Sequence, residues 1–244
     1  EARDLEASQP DKALALATEA LRLAPSLIPA AEIAGRLLAS KGESRQASRL
    51  VARTWKLAPH PDLATVYAFA KPGESPRDRL RRVEHLASLT PGDIEGPIAI
   101  AVAAIEARDW QRAEDAISPY LHDRPPARIC ALMARIEAGE GNKGREREWL
   151  ARAVRGPRDR AWIADGYISD RWLPVSPVTG AVDAFEWKAP VDATGRGDAT
   201  LLIEESYEPP EPPPPLKVAA PVKEKAEPKK PELVLPRTPA SGDG

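Results

Sequence analysis

Residues 13–25 read A-L-A-L-A-T-E-A-L-R-L-A-P, and thirty-four positions later residues 47–59 read A-S-R-L-V-A-R-T-W-K-L-A-P. Ala13, Ala17, Ala20 and Pro25 thus correspond to Ala47, Val51, Thr54 and Pro59. The spacing 0, 4, 7, 12 returns at Arg79, Val83, Leu86 and Pro91, then at Ala113, Ile117, Tyr120 and Pro125. A fifth, degenerate copy uses Arg147, Ala151 and Val154, with Asp159 where the proline should stand. Positions 0, 4 and 7 share one face of a helix, where small side chains let a neighbouring helix approach. Proline cannot continue a helix, so each copy ends in a turn. Upstream of each copy lies a second apolar segment, such as A-A-E-I-A-G-R-L-L-A at 30–39. Each repeat therefore predicts a pair of helices, with Gly35 where two of them cross. Ser75-Pro76-Arg77-Asp78 reads as an N-cap, a proline at the first helical position and a carboxylate at the third. Asp109 before W-Q-R-A predicts a second cap.

Helix pairs at this period resemble tetratricopeptide repeats, which stack into a right-handed superhelix. The expected fold is all-α: a tetratricopeptide-like right-handed α-solenoid over residues 1–157, a Trp-rich cap over 158–190 and a disordered tail over 191–244. An ordinary helical bundle is the rival, and it leaves four copies at one spacing, each closed by proline, without a cause.

After Pro157 the pattern breaks into short extended pieces. A stack leaves its last pair with one apolar face bare, and something must close it. Trp162, Trp172 and Trp187, helped by Tyr167 and Phe185, are suited to that task. Each indole buries about 150–250 Å², worth roughly 4–6 kcal/mol at about 25 cal/mol per Å² as an upper bound. The alternative is an aromatic pocket for a peptide. Beyond residue 191, E-P-P-E-P-P-P-P-L-K and K-E-K-A-E-P-K-K-P hold too little apolar surface to offset the entropy of ordering.

Charges nearly balance, 35 Lys+Arg against 37 Asp+Glu, so no strong field invites nucleic acid. The cluster R-D-R-L-R-R at 77–82 has no interleaved aromatics and reads as a solvated outer face. One cysteine, Cys130, excludes an intramolecular disulfide and any multi-cysteine metal site. It and Met133 sit among aliphatics at helical spacing and read as core. His60, His85 and His122 are well separated, with no serine, cysteine or carboxylate placed beside them; they read as partly exposed and idle. No phosphate loop, dinucleotide fingerprint, zinc-protease or nucleophile-elbow motif occurs. The expectation is a protein that is not an enzyme and takes no cofactor or metal.

In tetratricopeptide arrays the first helix of each pair lines the concave groove. By register, groove positions are Ile98, Val102 and Ile105 in the fourth pair and Leu132 and Ile136 in the fifth. The segment P-I-A-I-A-V-A-A-I at 97–105 is apolar nearly all round. That fits a groove for an amphipathic helix or flat apolar ligand, and equally burial between neighbouring pairs.

Degenerate repeats leading into R-E-W-L-A-R-A-V (147–154) and then D-R-A-W-I-A-D-G-Y-I-S-D-R-W-L-P-V-S-P-V-T-G-A-V-D-A-F-E-W (159–187) resemble the C-terminal portion of alphaproteobacterial HemY-type proteins. This is the tetratricopeptide family of the haem-biosynthesis operon, distinct from the flavin-containing oxidase of the same name. The resemblance implies a bacterial inner-membrane protein with two hydrophobic N-terminal segments, which these residues lack, and a repeat region facing the cytoplasm. It implies a scaffold for a late step of protohaem synthesis, with haem-biosynthesis enzymes or a tetrapyrrole as partners and no nucleic acid. A general peptide-binding adaptor for cell-envelope proteins is the alternative. S-P-V-T-G at 176–180 is similar to the second knuckle of a rubredoxin-like zinc ribbon, with Ser176 and Thr179 where thiolates would stand. Zinc needs sulfur or nitrogen donors, so the segment is expected to be a lid without an ion.

Overall fold

A computed structural model describes residues 1–122 and 124–190, which fall in one compact unit. The expected tail, residues 191–244, lies outside the described residues. Ten α-helices follow in order: α1 (Ala2–Leu5), α2 (Pro10–Leu23), α3 (Ile28–Ser40), α4 (Ser44–Trp55), α5 (Pro61–Phe69), α6 (Pro76–Ala87), α7 (Glu95–Glu106), α8 (Trp110–Ile117), α9 (Ala127–Gly139) and α10 (Lys143–Arg155). A 3-10 turn over Ser118–Tyr120 extends α8. Consecutive helices pack as antiparallel neighbours, and first helices also meet along the stack, α3 on α5, α5 on α7 and α7 on α9. The fold is a tetratricopeptide-like α-solenoid.

The repeated positions explain the stacking. Ala13, Ala47 and Ala113 are all 0% exposed, and Val51, Val83, Leu86 and Ile117 are buried beside them. Gly35 stands where α3 crosses α4 and α5. A Cβ there would lie 2.7 Å from Val66 Cγ1 and 2.8 Å from Val51 Cγ2. Polar ties also join neighbouring repeats. The Thr54 hydroxyl donates to the Pro25 carbonyl at 3.0 Å, Trp55 Nε1 to Thr90 Oγ1 at 2.8 Å, and Arg112 Nε to Glu84 Oε1 at 2.7 Å. The Ser75 and Asp109 side chains cap α6 and α8, each accepting from a backbone N–H at 3.2 Å. Cys130 and Met133 lie in the core, and burial pushes the Cys130 thiol pKa up.

The segment after α10 is a small antiparallel sheet: β1 (Ala161–Ala164), β2 (Tyr167–Ser169) and β3 (Glu186–Lys188), in the order β2-β1-β3. Trp162 pairs directly with Trp187 across β1 and β3. Asp165 and Gly166, at φ 51° and 80°, form the two-residue turn between β1 and β2.

This sheet does not close the end of the stack, and the expectation that it seals the last pair is corrected. α10 contributes no buried residue, and Val154 is 86% exposed on it. The sheet lies instead along the edge formed by the starts of first helices. Its indoles cover His60 and Glu95 at two of those starts.

Candidate functional site

The edge beneath the sheet is built from three helix starts at nearly one repeat's spacing: His60 before α5, Glu95 opening α7 and Arg128 in the first turn of α9. His60 Nδ1 accepts from the Asp62 backbone N–H at 3.2 Å, which caps α5. Its ring is 2% exposed and lies between Trp187 and Trp162, with centroids 4.3 and 5.2 Å away. Burial, assisted by the Arg128 charge, lowers its pKa to about 3, so the imidazole is neutral. Nε2 then carries the proton and finds no hydrogen-bond acceptor among the described residues. The expected idle, partly exposed histidine is thus a buried structural one.

Glu95 is also 2% exposed. Arg128 Nη2 donates to its Oε2 at 2.5 Å, and Trp187 Nε1 to its Oε1 at 3.4 Å. Asp93 accepts the Glu95 backbone N–H at 2.8 Å and binds Arg160 Nη1 at 3.1 Å. The start of α9 is capped from the linker: the Ala127 N–H donates to the Pro157 carbonyl at 3.2 Å and the Arg128 N–H to Asp159 Oδ2 at 2.8 Å. Burial raises the Asp159 pKa. Asp159, where the fifth proline is missing, thus serves as a cap supplied from outside its helix.

The far side of the sheet holds the zinc-knuckle likeness. Ser176 Oγ accepts the N–H groups of Val178 and Thr179 at 3.3 and 3.4 Å, and Thr179 Oγ1 donates to Asp165 Oδ2 at 2.6 Å. The hydroxyls of Ser176 and Thr179 hold the Asp165 pKa below its usual value. One hydrogen bond bridges the two loops that a metal would join, and these donors do not suit zinc. Among the described residues no group of three or more His, Cys, Asp or Glu is placed to hold a metal ion.

Between the sheet and the repeat loops lies an open cleft of about 680 Å³. Trp162, Trp172, Phe185 and Trp187 form one wall, and Leu27 and Leu57 stand on the loops opposite, with Lys188, paired to Glu186, and Arg160, paired to Asp93, on the lining. Of the five aromatics assigned to the cap, Trp162 and Phe185 are buried, Trp172 and Trp187 partly so, and Tyr167 is 44% exposed, edge-on to Phe185. Sequence reading grouped these rings but missed the helix starts they cover.

The expected concave groove is different from its forecast. Ile98, Ile105, Leu132 and Ile136 are all buried between helices, leaving Val102 partly exposed. Ile98 and Val102 border a crevice of about 110 Å³ with Ala64, Ala68 and Phe69, which Leu132 and Ile136 do not join. The five residues form no common exposed surface, because α7 is apolar through being covered on both sides.

No family profile matches the sequence. A relative does. The chain is 32% identical over 199 residues to a protein of Magnetospirillum gryphiswaldense described as the probable magnetosome protein Mms48. The match takes in 79% of this chain, which spans 44% of that relative's length. Among solved structures, YrrB, described as a TPR protein with an unusual peptide-binding site, is similar at 19% identity and a TM-score of 0.36, over 63% of this chain and 81% of that one. Among the described residues no helix is long and apolar enough to cross a membrane.

Proposed function

We propose that the chain is the repeat region of a non-catalytic scaffold supporting a late step of protohaem biosynthesis. It is tethered to the bacterial inner membrane by a segment outside these residues, with the repeats facing the cytoplasm. It acts by binding enzymes of the pathway or a tetrapyrrole intermediate. The observation that carries a binding role is the cleft of about 680 Å³ walled by three indoles and Phe185. Indole faces suit a flat apolar ligand or an apolar side chain of a partner. The groups beside it, buried His60 and Glu95 and partly exposed Arg128, are occupied in holding helix starts, which fits a scaffold better than acid–base work. The haem assignment draws on the resemblance of residues 147–187. A second reading, that the scaffold works in magnetosomes, draws on the 32% identity to the relative so described.

Two measurements test this. Titration with protoporphyrin should quench tryptophan fluorescence, and Trp172→Ala or Leu57→Asp should weaken binding about tenfold, equivalent to ~1.4 kcal/mol. Co-purification of the membrane-tethered protein should recover a haem-pathway enzyme. Recovery of envelope-assembly factors alone, with no porphyrin binding, would favour the envelope adaptor; recovery with magnetosome components would favour the second reading.

A further inference from the structure

The second helices differ on their outer faces. Several arginines there have a carboxylate partner: Arg22 with Glu19 at 2.7 Å, Arg112 with Glu84 at 2.7 Å, Arg145 with Glu137 at 3.0 Å, Arg152 with Glu148 at 2.6 Å, and Arg81 with Asp78, while Arg77, Arg147 and Arg155 form no salt bridge among the described residues. α4 differs from the other second helices in having no carboxylate of its own. Its sequence S-R-Q-A-S-R-L-V-A-R-T-W carries Arg45, Arg49 and Arg53 and no acidic residue, and Lys56 follows. Four-residue spacing sets the three arginines in one row about 12 Å long. All are exposed, and among the described residues none forms a salt bridge.

Clefts flank this row on both sides. Between α2 and α4 is one of about 690 Å³ whose lining joins Leu21 and Leu50 to the Arg22–Glu19 pair and to Arg49 and Arg53. On the α6 side is one of about 480 Å³ lined by Ser44, Arg45, Ser48, Arg49, Lys71 and Arg82. Arg49 borders both. Neither shares a residue with the cleft under the sheet.

We propose that the outer face of α4 docks an acidic amphipathic segment of a protein partner. Carboxylates at helical spacing meet Arg45, Arg49 and Arg53, and an apolar side chain enters the cleft over Leu21 and Leu50. Charge complementarity carries the choice: a row of like charges left unpaired on a helix with no acidic residue costs self-repulsion that an acidic partner relieves. The leucine floor distinguishes this partner from a free anion or a lipid headgroup, which has no use for it. No aromatic side chain lines either cleft, so stacking of nucleic-acid bases has no platform.

The test is fluorescence anisotropy on the full chain. The probe is a fluorescein-labelled, alanine-based helical peptide with glutamate at every fourth position and leucine just before each. Arg49→Gln should weaken binding about threefold, and Arg45→Gln/Arg49→Gln/Arg53→Gln together about thirtyfold. Serine for leucine in the probe should cost about tenfold. Arg152→Gln, whose arginine is already paired, should change nothing. Equal binding by the triple variant and the unaltered chain overturns the proposal. So does arginine-dependent binding to phosphatidylserine vesicles, or to inorganic phosphate, with none to the peptide.

Discussion

Trp187 meets the buried ring of His60 edge-on, centroids 4.3 Å apart, while its own N–H reaches Glu95, 35 residues further along. One indole thus joins the start of α5 to the start of α7, and the sheet acts as a clasp along the stack.

That packing makes stability depend on pH. His60 titrates near 3 when folded against an ordinary 6.5, so folding favours the neutral ring. Its contribution is complete above about pH 6.5 and fades as pH falls toward 3. Between pH 6.5 and 5, denaturant unfolding should show a loss of up to about 2 kcal/mol, at ~1.4 kcal/mol per unit. Asp62 and Asp159, both raised by burial, act in the opposite sense at lower pH. His60→Gln should flatten the slope in that window; an unchanged slope would show that the ring is not held neutral.

The Glu95–Arg128 pair should respond asymmetrically. Glu95 is the more deeply buried partner, so Arg128→Ala strands a charge and should cost about 3–5 kcal/mol. Glu95→Gln keeps an acceptor for Trp187 and strands only the partly exposed Arg128, so it should cost about half as much. Equal losses in thermal melts would contradict this.

Gly35→Ala should destabilise although alanine is the better helix former. The added methyl meets Val51 and Val66 within 2.8 Å, and overpacking costs about 1–3 kcal/mol against a gain of ~1. Adding Val51→Ala should restore part of the lost melting temperature, and no restoration would place the clash elsewhere.

The loop clasp should be indifferent to metal. Thr179→Val removes the bond to Asp165 and should cost about 1 kcal/mol, while zinc or a chelator leaves the melting temperature of the unaltered chain unchanged. A rise with zinc would refute the hydroxyl clasp.

The helix pairs were legible because burial between stacked repeats recurs with the repeat: Ala13, Ala47 and Ala113 sit in equivalent sites. Val154 occupies the register of Thr54 and Leu86, which are buried, and is bare, since among the described residues no further pair covers α10. The groove misled because an all-apolar segment such as 97–105 has the same periodicity whether covered on two sides or open on one. The clasp was hidden for another reason. Its contacts join residues 60 and 95 to 162 and 187, and no local spacing relates positions so far apart. The likeness of His60, Glu95 and Arg128 as helix starts was the available signal, but their different side chains concealed it.

Hydrogen exchange on the unaltered chain and on Trp162→Ala/Trp187→Ala tests most directly whether the sheet clasps the edge of the stack. Faster exchange is predicted at the starts of α5 and α7, around residues 60–64 and 95–99, with α10 unchanged. Faster exchange confined to α9 and α10 would mean that the aromatic sheet closes the end of the array after all.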